Sequence, residues 1–312
     1  MSIHDPPDLR RRLAAALSLD SVPGVPMGTP AVEVTGSVAC EGFVRQLIRY
    51  ESPDGDVIPA YLAIPGGAGP FPAVVVFHQH AGQRQLGKSE VFGIAGDRWQ
   101  AFGPALARRG WVVLAPDSVA FEDRRRTGTG REPRPADADQ HYNELAYRLV
   151  TGDTLARKVL ADAATATSVL AAMPAVDAGR LGALGHSYGG NTVLFHAALD
   201  ERIRYACASG AACTYRRQMA EGTGIEMAEV IPGFAAKFDI DDLVRAIAPR
   251  SLLVVSADAD QYSADAGDIV ASARSQFAAL GAAANLSHLR FPGGHPLNRA
   301  SYQAIVDWIT AN

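Results

Sequence analysis

The chain has 312 residues, of which 48% are hydrophobic and 20% charged, so it can bury the core of one large domain. Its net charge of −4 gives no basic field for nucleic acid, and no apolar run approaches the length that spans a bilayer, so we expect neither nucleic acid nor a membrane as a partner. The chain has only three cysteines, Cys40, Cys207 and Cys213, so the sequence does not indicate a framework of disulfides. We therefore predict a cytoplasmic location.

The N-terminal region, residues 1–42, contains prolines, glycines and one amphipathic stretch at residues 8–19. We interpret this region as an arm packed on the core. The apolar run at residues 13–17 follows three arginines, but it is too short for a signal peptide and acidic residues flank it.

The first predicted strands form a hairpin at one edge of a sheet. Residues 43–50 and 57–64 have strand character, and the Asp54-Gly55 pair between them is a preferred hairpin turn. The apolar, β-branched run at residues 72–77 then predicts a buried strand.

Helices and strands alternate through the rest of the chain. We predict a helix near residues 99–109, a strand at 111–115, a long helical stretch at 139–173 and a closing helix at 298–309. Such alternation indicates a mostly parallel sheet covered by helices on both faces, beside the antiparallel hairpin. We expect a single domain over residues 43–312.

Two segments are candidates for shaping a ligand site, because ligands of open α/β sheets bind outside the carboxyl ends of the strands. The first, residues 117–134, is rich in arginine, and Arg124 is a candidate for binding a substrate carboxylate or phosphate unless the loop is simply solvated. The second is a lid segment at residues 214–250, in which Tyr215 is a candidate for contacting substrate. The large side chains of this segment either face the pocket or form helix core: Tyr215, Met219, Met227 and Phe234.

A strand, a tight turn and a helix are predicted around Ser187. The apolar run at 180–184 leads into Gly-His-Ser-Tyr-Gly-Gly at 185–190, and an amphipathic stretch follows at 191–199. A serine on so sharp a turn points its hydroxyl out of the backbone, and the flanking glycines remove Cβ atoms that would clash. Ser187 is therefore the candidate nucleophile, with the helix N-terminus favouring an oxyanion, and we expect His186 to point away from it.

A serine hydroxyl needs a base to activate it and a third group to orient that base. In strand–turn–helix hydrolases the acid and then the histidine follow the serine in the chain. The apolar strand at residues 251–256 ends in two competing acids, Asp258 and Asp260. The alternating strand at 286–291 is followed by His295 on a glycine-rich loop. These are the candidate acid and base.

The loop at residues 78–82, after the first buried strand, is expected to supply an oxyanion donor. We assign the two donors to the backbone N–H groups of Tyr188 and His80, and Gln79 is a candidate for contacting substrate. His78 and His80 also have the spacing of metal ligands, but no HExxH motif or cysteine cluster accompanies them. We therefore favour no metal and no cofactor.

These motifs together resemble the α/β-hydrolase superfamily, and within it the dienelactone hydrolase and acetyl xylan esterase-like group. The resemblance covers residues 45–312 and includes Phe-His-Gln-His-Ala-Gly at 77–82, the serine turn, the acid loop and Gly-His at 294–295. It implies the α/β-hydrolase fold. A dienelactone hydrolase proper has a cysteine nucleophile, so Ser187 favours an ester hydrolase over that lactonase.

The resemblance also bears on the choice of acid. In these relatives the acid is the last residue of a G-x-x-D turn, which corresponds to residues 257–260 here. That favours Asp260. Alanine stands at 257 in place of the family's glycine, which keeps Asp258 as the fallback.

The predicted reaction is hydrolysis of a carboxylic ester by two-step acyl transfer. His295, oriented by Asp260, takes the proton of Ser187 as its oxygen attacks the carbonyl, and the N–H groups of Tyr188 and His80 hold the oxyanion. Activity should fall in mildly acidic solution, because a protonated histidine cannot act as the base.

Several alternatives stay open. The same side chains suit a thioesterase, a peptidase, or an acyltransferase or cyclase in which the acyl group passes to an acceptor other than water. From other classes, the alternatives are a catalytically silent binding protein on this fold and a metal-dependent hydrolase using His78 and His80. The expected partner is a small-molecule ester, and the oligomeric state, including a homo-oligomer, is left open.

Overall fold

In the computed structural model, the described residues (6–19, 28 and 30–312) are built around one mixed sheet. Its strands are β1 (Glu33–Cys40), β2 (Phe43–Glu51), β3 (Val57–Pro65), β4 (Phe71–Phe77), β5 (Val112–Pro116), β6 (Val176–His186), β7 (Ile203–Ser209), β8 (Ser251–Ala257) and β9 (Leu286–Phe291). They lie in the order β1-β2-β3-β5-β4-β6-β7-β8-β9. Pairing is antiparallel from β1 to β3 and between β3 and β5, and parallel elsewhere. The predicted α/β fold with an antiparallel edge is confirmed.

Helices cover both faces of the sheet. They are α1 (Pro6–Ala16), α2 (Lys88–Val91), α3 (Phe102–Ala107), α4 (Gln140–Val150), α5 (Leu155–Ala171), α6 (Tyr188–Leu199), α7 (Tyr215–Glu221), α8 (Ile240–Ile247), α9 (Ala266–Ala279) and α10 (Arg299–Ala311). The apolar side chains of α5, α6, α8 and α9 pack on one face, and those of α3 and α10 pack on the other.

The central strand β4 is buried on both sides, which explains its continuous apolar sequence. Val74 and Val76 pack in the core on the α3 side, whereas Ala73 and Val75 pack in the core on the α5 side. Successive side chains of a strand point to opposite faces, so a strand covered on both faces is apolar at every position. Because β4 pairs parallel with β6, the loop after β4 and the serine turn after β6 begin at the same edge of the sheet.

The hairpin between β2 and β3 has the turn that its sequence predicts. Glu51 pairs with Val57, and Tyr50 pairs with Ile58. Gly55, within the intervening turn, has a φ of +83°, which glycine adopts without a Cβ clash.

Two predicted boundaries differ from the structure. Residues 33–40, assigned to the N-terminal arm, form β1, which extends the antiparallel edge of the sheet. The helical stretch predicted over 139–173 is two helices, because the chain breaks between α4 and α5. Thr154 caps the start of α5 by accepting the Arg157 N–H on its hydroxyl oxygen at 3.1 Å.

The described part of the N-terminal region packs on the domain through α1. Leu9 and Leu13 are buried in the core, and Arg10 Nη1 donates to the carbonyl oxygen of Ala246 at 3.0 Å. The remainder of the predicted arm, at residues 1–5, 20–27 and 29, lies outside the described residues. Among the helices that the structure describes, none has both the length and the apolar character needed to cross a membrane.

The cysteines are free thiols rather than disulfide partners. Cys207 is buried on β7, and Cys213 is buried beyond the end of that strand. Burial raises the pKa of the Cys213 thiol to about 12, and it also raises the pKa of Cys207, so both stay protonated at neutral pH. They act as small apolar side chains, and neither is an activated thiolate.

A buried lysine ties the loop after β4 to the loop after β5. Lys88 Nζ lies 2.6 Å from Asp117 Oδ2, 2.8 Å from Glu122 Oε1 and 2.7 Å from Asp123 Oδ2. Asp117 also accepts the Lys88 N–H at 2.8 Å, and Glu122 accepts the Ser89 N–H at 2.9 Å. Burial alone would lower the pKa of Lys88, but the carboxylates raise it overall, so the ammonium stays charged. The network holds the β4 loop (residues 78–87) in place.

Replacing Lys88 by methionine should therefore destabilise the protein strongly. The variant leaves the carboxylates of Asp117 and Glu122 buried without a cation, which typically costs about 3–5 kcal/mol. Urea unfolding of the two proteins measures the difference as a shift of the transition midpoint. The matched control is Arg109→Met, since the Arg109–Asp307 pair is exposed and should be worth at most about 1 kcal/mol. Equal midpoint shifts in the two variants would contradict the structural role of Lys88.

Candidate active site

Ser187 occupies the sharp turn between β6 and α6. Its φ of +57° and ψ of −124° are rare for a residue with a side chain, and this strain is typical of a nucleophile on a strand-to-helix turn. The Ser187 N–H donates to the carbonyl oxygen of Ser209 at 2.8 Å, which anchors the turn to β7. A Cβ on Gly189 would lie 2.1 Å from the carbonyl oxygen of Phe77, so glycine is required where the turn packs against β4.

His295 and Asp260 lie in a hydrogen-bonded line with Ser187. His295 Nε2 is 2.7 Å from Ser187 Oγ, and His295 Nδ1 is 2.9 Å from Asp260 Oδ1. Asp260 also accepts the Ser263 hydroxyl at 2.6 Å and the Tyr262 N–H at 3.0 Å. Burial alone would raise the pKa of Asp260, but the hydrogen bonds and the neighbouring His295 lower it overall. An ionised Asp260 makes Nδ1 the donor and leaves the Nε2 lone pair facing the serine hydroxyl.

The two aspartates that compete in the sequence have different surroundings. Asp260 is buried and faces His295. Asp258 is exposed, and its carboxylate accepts a hydrogen bond from Arg290 Nε at 2.8 Å. The structure therefore brings Asp260, and not Asp258, to the imidazole.

The two residues whose N–H groups are expected to bind an oxyanion line the same cavity. Tyr188 is the first residue of α6, so its N–H has no acceptor within the helix. Its hydroxyl lies 2.6 Å from Ser118 Oγ, which fixes the start of the helix. His80 lies in the β4 loop, and both Tyr188 and His80 line the cavity that contains Ser187.

That cavity has a volume of about 370 Å³, which is within the usual range for small-molecule sites. The β4 loop, the serine turn, the histidine loop and the lid segment each supply part of its wall. The lid side combines three polar side chains with apolar ones and is formed by Gln218, Gly224, Ile225, Glu226, Met227 and Glu229. The arrangement can hold a small molecule against the serine hydroxyl.

Two aromatic rings hold the imidazole of His295. His186, expected to point away from the nucleophile, packs its ring against that of His295 with centroids 4.9 Å apart, and Tyr262 contacts His295 edge-on at 4.9 Å. His186 Nδ1 is 3.0 Å from Ser209 Oγ. Burial, followed by the charge on His295, lowers the pKa of His186 to about 3. A neutral ring therefore lies beside the base.

The three predicted substrate contacts lie outside the cavity wall. Gln79 Nε2 donates to Glu90 Oε1 at 3.0 Å, which turns its amide away from the cavity. Tyr215 is buried in the core, and its hydroxyl donates to the carbonyl oxygen of Glu229 at 2.7 Å. Arg124 is paired with Asp162 and does not line the cavity. The structure contradicts these assignments, because each side chain bonds to another part of the protein and none lines the cavity.

The arginine-rich segment forms internal ion pairs. Arg124 donates to Asp162 Oδ2 at 2.8 Å and to the carbonyl oxygen of Asp117 at 3.1 Å. Arg125 is buried and pairs with Asp137. These arginines are therefore structural, rather than ligands for a substrate anion or a solvated loop.

The lid side chains divide between core and cavity. Phe234 packs in the core with Tyr215, whereas Met227 lines the cavity. Met219 is 59% exposed and contacts neither. The large apolar side chains of the lid therefore form core at some positions and cavity wall at another.

The histidine pair in the β4 loop has no nitrogen open to a metal ion. His78 Nδ1 donates to a backbone carbonyl at 2.8 Å, and its Nε2 accepts the Ser118 N–H at 3.1 Å. His80 Nδ1 accepts the Gly82 N–H at 3.0 Å, and the guanidinium of Arg84 lies against its Nε2. The metal-dependent alternative is not supported by this geometry.

Three further side chains near the cavity are spaced like metal ligands. The potential ligand atoms of His80, His141 and Glu226 all lie within 4.8 Å of one another. The guanidinium of Arg84 adjoins this group. Burial, followed by the charge of Arg84, lowers the pKa of His80 to about 3 and lowers that of His141. Because the positively charged guanidinium of Arg84 already lies beside these three residues, the site does not suit a metal cation.

Some cavity residues were not predicted from the sequence. Asn191 lies one helical turn after Ser187, so the spacing of four residues on a predicted helix was a usable signal. Glu226 and Glu229 lie in an irregular part of the lid, where no local periodicity indicates which side chains face inward.

Comparison with known proteins finds a family match over part of the chain. Residues 58–210 match the model of the dienelactone hydrolase family. YtaP of Bacillus subtilis (strain 168), named as a hydrolase, is 28% identical over 197 residues, which cover 62% of this chain and 62% of that protein. The matched part thus spans less than two thirds of that relative's length.

Solved structures extend the match to nearly the whole chain. A glucuronoyl esterase from Solibacter usitatus has a TM-score of 0.67 at 17% identity, covering 97% of this chain and 91% of that one. An acetyl xylan esterase from Paenibacillus sp. R4 has a TM-score of 0.63 at 17% identity, covering 97% of this chain and 92% of that one. At such identities these matches establish the fold. The protein therefore has the α/β-hydrolase fold, and its residues 58–210 match the dienelactone hydrolase family.

Proposed function

We propose that this protein hydrolyses carboxylic esters through a covalent acyl-enzyme on Ser187. The observation that carries the proposal is the continuous line of hydrogen bonds from Ser187 Oγ through His295 to Asp260, at the wall of a cavity. A serine becomes a nucleophile when such a base takes its proton and an ionised acid stabilises the resulting imidazolium. The relation to a hydrolase family supports the same chemistry.

The first half of the reaction forms the acyl-enzyme. Ser187 Oγ attacks the ester carbonyl carbon as His295 Nε2 takes the hydroxyl proton, and the carbonyl π electrons move to the oxygen. The N–H groups of Tyr188 and His80 stabilise that oxyanion. When it collapses, the bond to the alcohol breaks, and His295 returns the proton to the departing alkoxide oxygen.

The second half reverses these roles with water. His295 Nε2 takes a proton from the water molecule as its oxygen attacks the acyl carbon. Collapse of the second oxyanion breaks the bond to Ser187, which regains its proton from His295, and the carboxylic acid leaves. Asp260 keeps the imidazole in the required orientation through both halves.

The structure and the relatives support a carboxylic ester as the bond that is cleaved, but they do not identify the acid or the alcohol of the substrate. The relatives carry names for different ester substrates, so their names do not select one for this chain. Thioester and amide substrates would pass through the same acyl-enzyme, and transfer to an acceptor other than water would differ only in the second half. A serine in place of cysteine supports an oxygen ester over the lactone of dienelactone hydrolases proper.

A fluorophosphonate probe tests the proposal directly. We expect one stoichiometric adduct, found by peptide mass spectrometry on Ser187, together with loss of hydrolysis of simple acetyl and butyryl esters. EDTA should change neither labelling nor hydrolysis. Parallel thioester and amide substrates measure the bond preference. An adduct on another residue, or hydrolysis that persists in fully labelled protein, would contradict the assigned nucleophile. Loss of hydrolysis on addition of EDTA would support a metal-dependent mechanism instead.

A further inference from the structure

The lid end of the cavity contains a carboxyl group without a partner. Glu229 is 3% exposed, and its Oε1 has no hydrogen-bond partner among the described residues. Its backbone is held on both sides, because its N–H donates to the carbonyl oxygen of Glu226 at 2.8 Å and its own carbonyl oxygen accepts the Tyr215 hydroxyl at 2.7 Å. The backbone of Glu229 is therefore fixed, and the residue lines the cavity that also contains Ser187.

A second acceptor without a partner lies in the same wall. Asn191 Oδ1 is buried and has no hydrogen-bond donor in the described part of the chain. Asn191 and Glu229 both line the cavity, and both also line a small adjoining cavity, so the two side chains are neighbours. Leaving a buried acceptor unpaired is unfavourable, so this end of the cavity is suited to a ligand group with several hydrogen-bond donors.

The surrounding charges favour a cation there. The titratable groups that act on Glu229 are the carboxyl groups of Glu226 and Asp239, which together with burial raise the pKa of Glu229 well above its usual value. Two arginines act on these neighbouring carboxyl groups: Arg84 acts on Glu226, and Arg216 Nε lies 3.4 Å from Asp239 Oδ2. Of the residues that line the cavity, none is a lysine or an arginine. Within the described chain, no cationic side chain pairs with Glu229.

We propose that Glu229 and Asn191 bind a primary ammonium group of the substrate, so that the enzyme prefers esters carrying an ammonium over neutral or anionic esters of the same length. The inference deepens the proposed hydrolysis and rests on it for the position of the ester at Ser187. An ammonium has three donors, which match the carboxylate of Glu229, the amide oxygen of Asn191 and one further acceptor. A carboxylate-bearing ester would instead meet two glutamates.

The preference should depend on pH in a definite direction. An ammonium binds the ionised form of Glu229 more tightly than the protonated form, so binding expels a proton from this carboxyl group. The preference for the ammonium ester over the neutral one should therefore increase as the pH rises, until the ligand amine itself loses its proton near pH 10.

The test compares ethyl esters of straight-chain acids, in three chain lengths, that end in ammonium, methyl or carboxylate. For the best length, we expect kcat/KM for the ammonium ester to exceed that for the methyl ester by about tenfold or more. In Glu229→Gln, which keeps the shape of the side chain, this ratio should fall close to one. The ratio is measured within each variant, so a general loss of activity cancels.

Two controls keep this result separate from the hydrolase proposal. Glu221→Gln removes an exposed lid carboxylate outside the cavity and should keep the full ratio. Titration calorimetry with butylammonium chloride should show binding to the wild type that is weakened in Glu229→Gln, whether or not any ester is hydrolysed. A ratio near one in the wild type at all lengths, or an equal ratio in Glu229→Gln, would overturn the ammonium site. Failure of all the esters, with butylammonium still bound by the wild type, would count against hydrolysis and not against the ammonium site.

Discussion

Replacing Ser187 by alanine should lower kcat for ester hydrolysis by about 10⁶-fold and abolish labelling by a fluorophosphonate. The substitution removes the only atom of this side chain that bonds to the acyl group. His295 then has no nucleophile to activate, although the oxyanion donors and the cavity are unchanged. KM should change little, because the Oγ atom contributes to the reaction rather than to ground-state binding.

Steady-state kinetics and active-site labelling measure this effect together. The matched control is Ser272→Ala, which removes the hydroxyl of a serine on α9 that donates to the carbonyl oxygen of Ile269 at 2.8 Å and does not line the cavity. The control should keep its activity. A rate within tenfold of the wild type in Ser187→Ala would remove Ser187 from its proposed role, since no other serine lines the cavity in the described chain.

Much of this fold could be predicted from local patterns. The buried strand β4 and the hairpin of β2 and β3 follow from side-chain periodicity and one turn sequence, which are properties of adjacent residues. The turn at Ser187 was predictable for the same reason, since the glycines that permit it are two residues away on either side. The closing strand and His295 also follow one another directly in the chain.

Features that depend on distant partners could not be predicted in this way. Arg124 has the charge to bind a substrate anion, but Asp162, 38 residues away, holds it instead. Tyr215 looked suited to contact substrate, yet its hydroxyl is used by the backbone of Glu229. Both outcomes depend on which side chain the fold brings opposite, and a single sequence does not contain that information.

The predicted N-terminal boundary of the domain is wrong for a related physical reason. β1 lies at the edge of the sheet, and its side chains are mostly exposed. A strand without a buried face lacks the alternation of apolar and polar residues that marks a strand in the sequence. Its place in the sheet comes from backbone hydrogen bonds to β2, which do not depend on side-chain type.

The folded structure distinguishes between the two candidate acids, which the local sequence does not. The sequence places Asp258 and Asp260 two residues apart after β8, and periodicity alone does not rank them. In the folded protein, the N–H of Asp258 donates to the carbonyl oxygen of Phe291 at 3.0 Å, and its carboxylate lies at the surface with Arg290. Asp260 lies where the loop turns inward toward His295.

Replacing Asp260 by asparagine should therefore lower kcat by about 10⁴-fold. The amide has nearly the same shape as the carboxylate, but its N–H₂ group can donate to His295 Nδ1. That favours the tautomer in which Nε2 carries the proton, so the imidazole can no longer accept the proton of Ser187. Hydrogen bonds hold the pKa of Asp260 low against the effect of burial, so the wild-type carboxylate is ionised throughout the neutral range. Rates measured at saturating ester give the size of the loss.

Asp258→Asn is the matched control, because it makes the same chemical change two residues away at an exposed carboxylate. Its kcat should stay within about twofold of the wild type, since surface ion pairs contribute little. A large loss in Asp258→Asn with little loss in Asp260→Asn would reassign the acid. Large losses in both would mean that the loop after β8 positions His295 as a unit, because neither carboxylate alone would then account for the orientation of the imidazole.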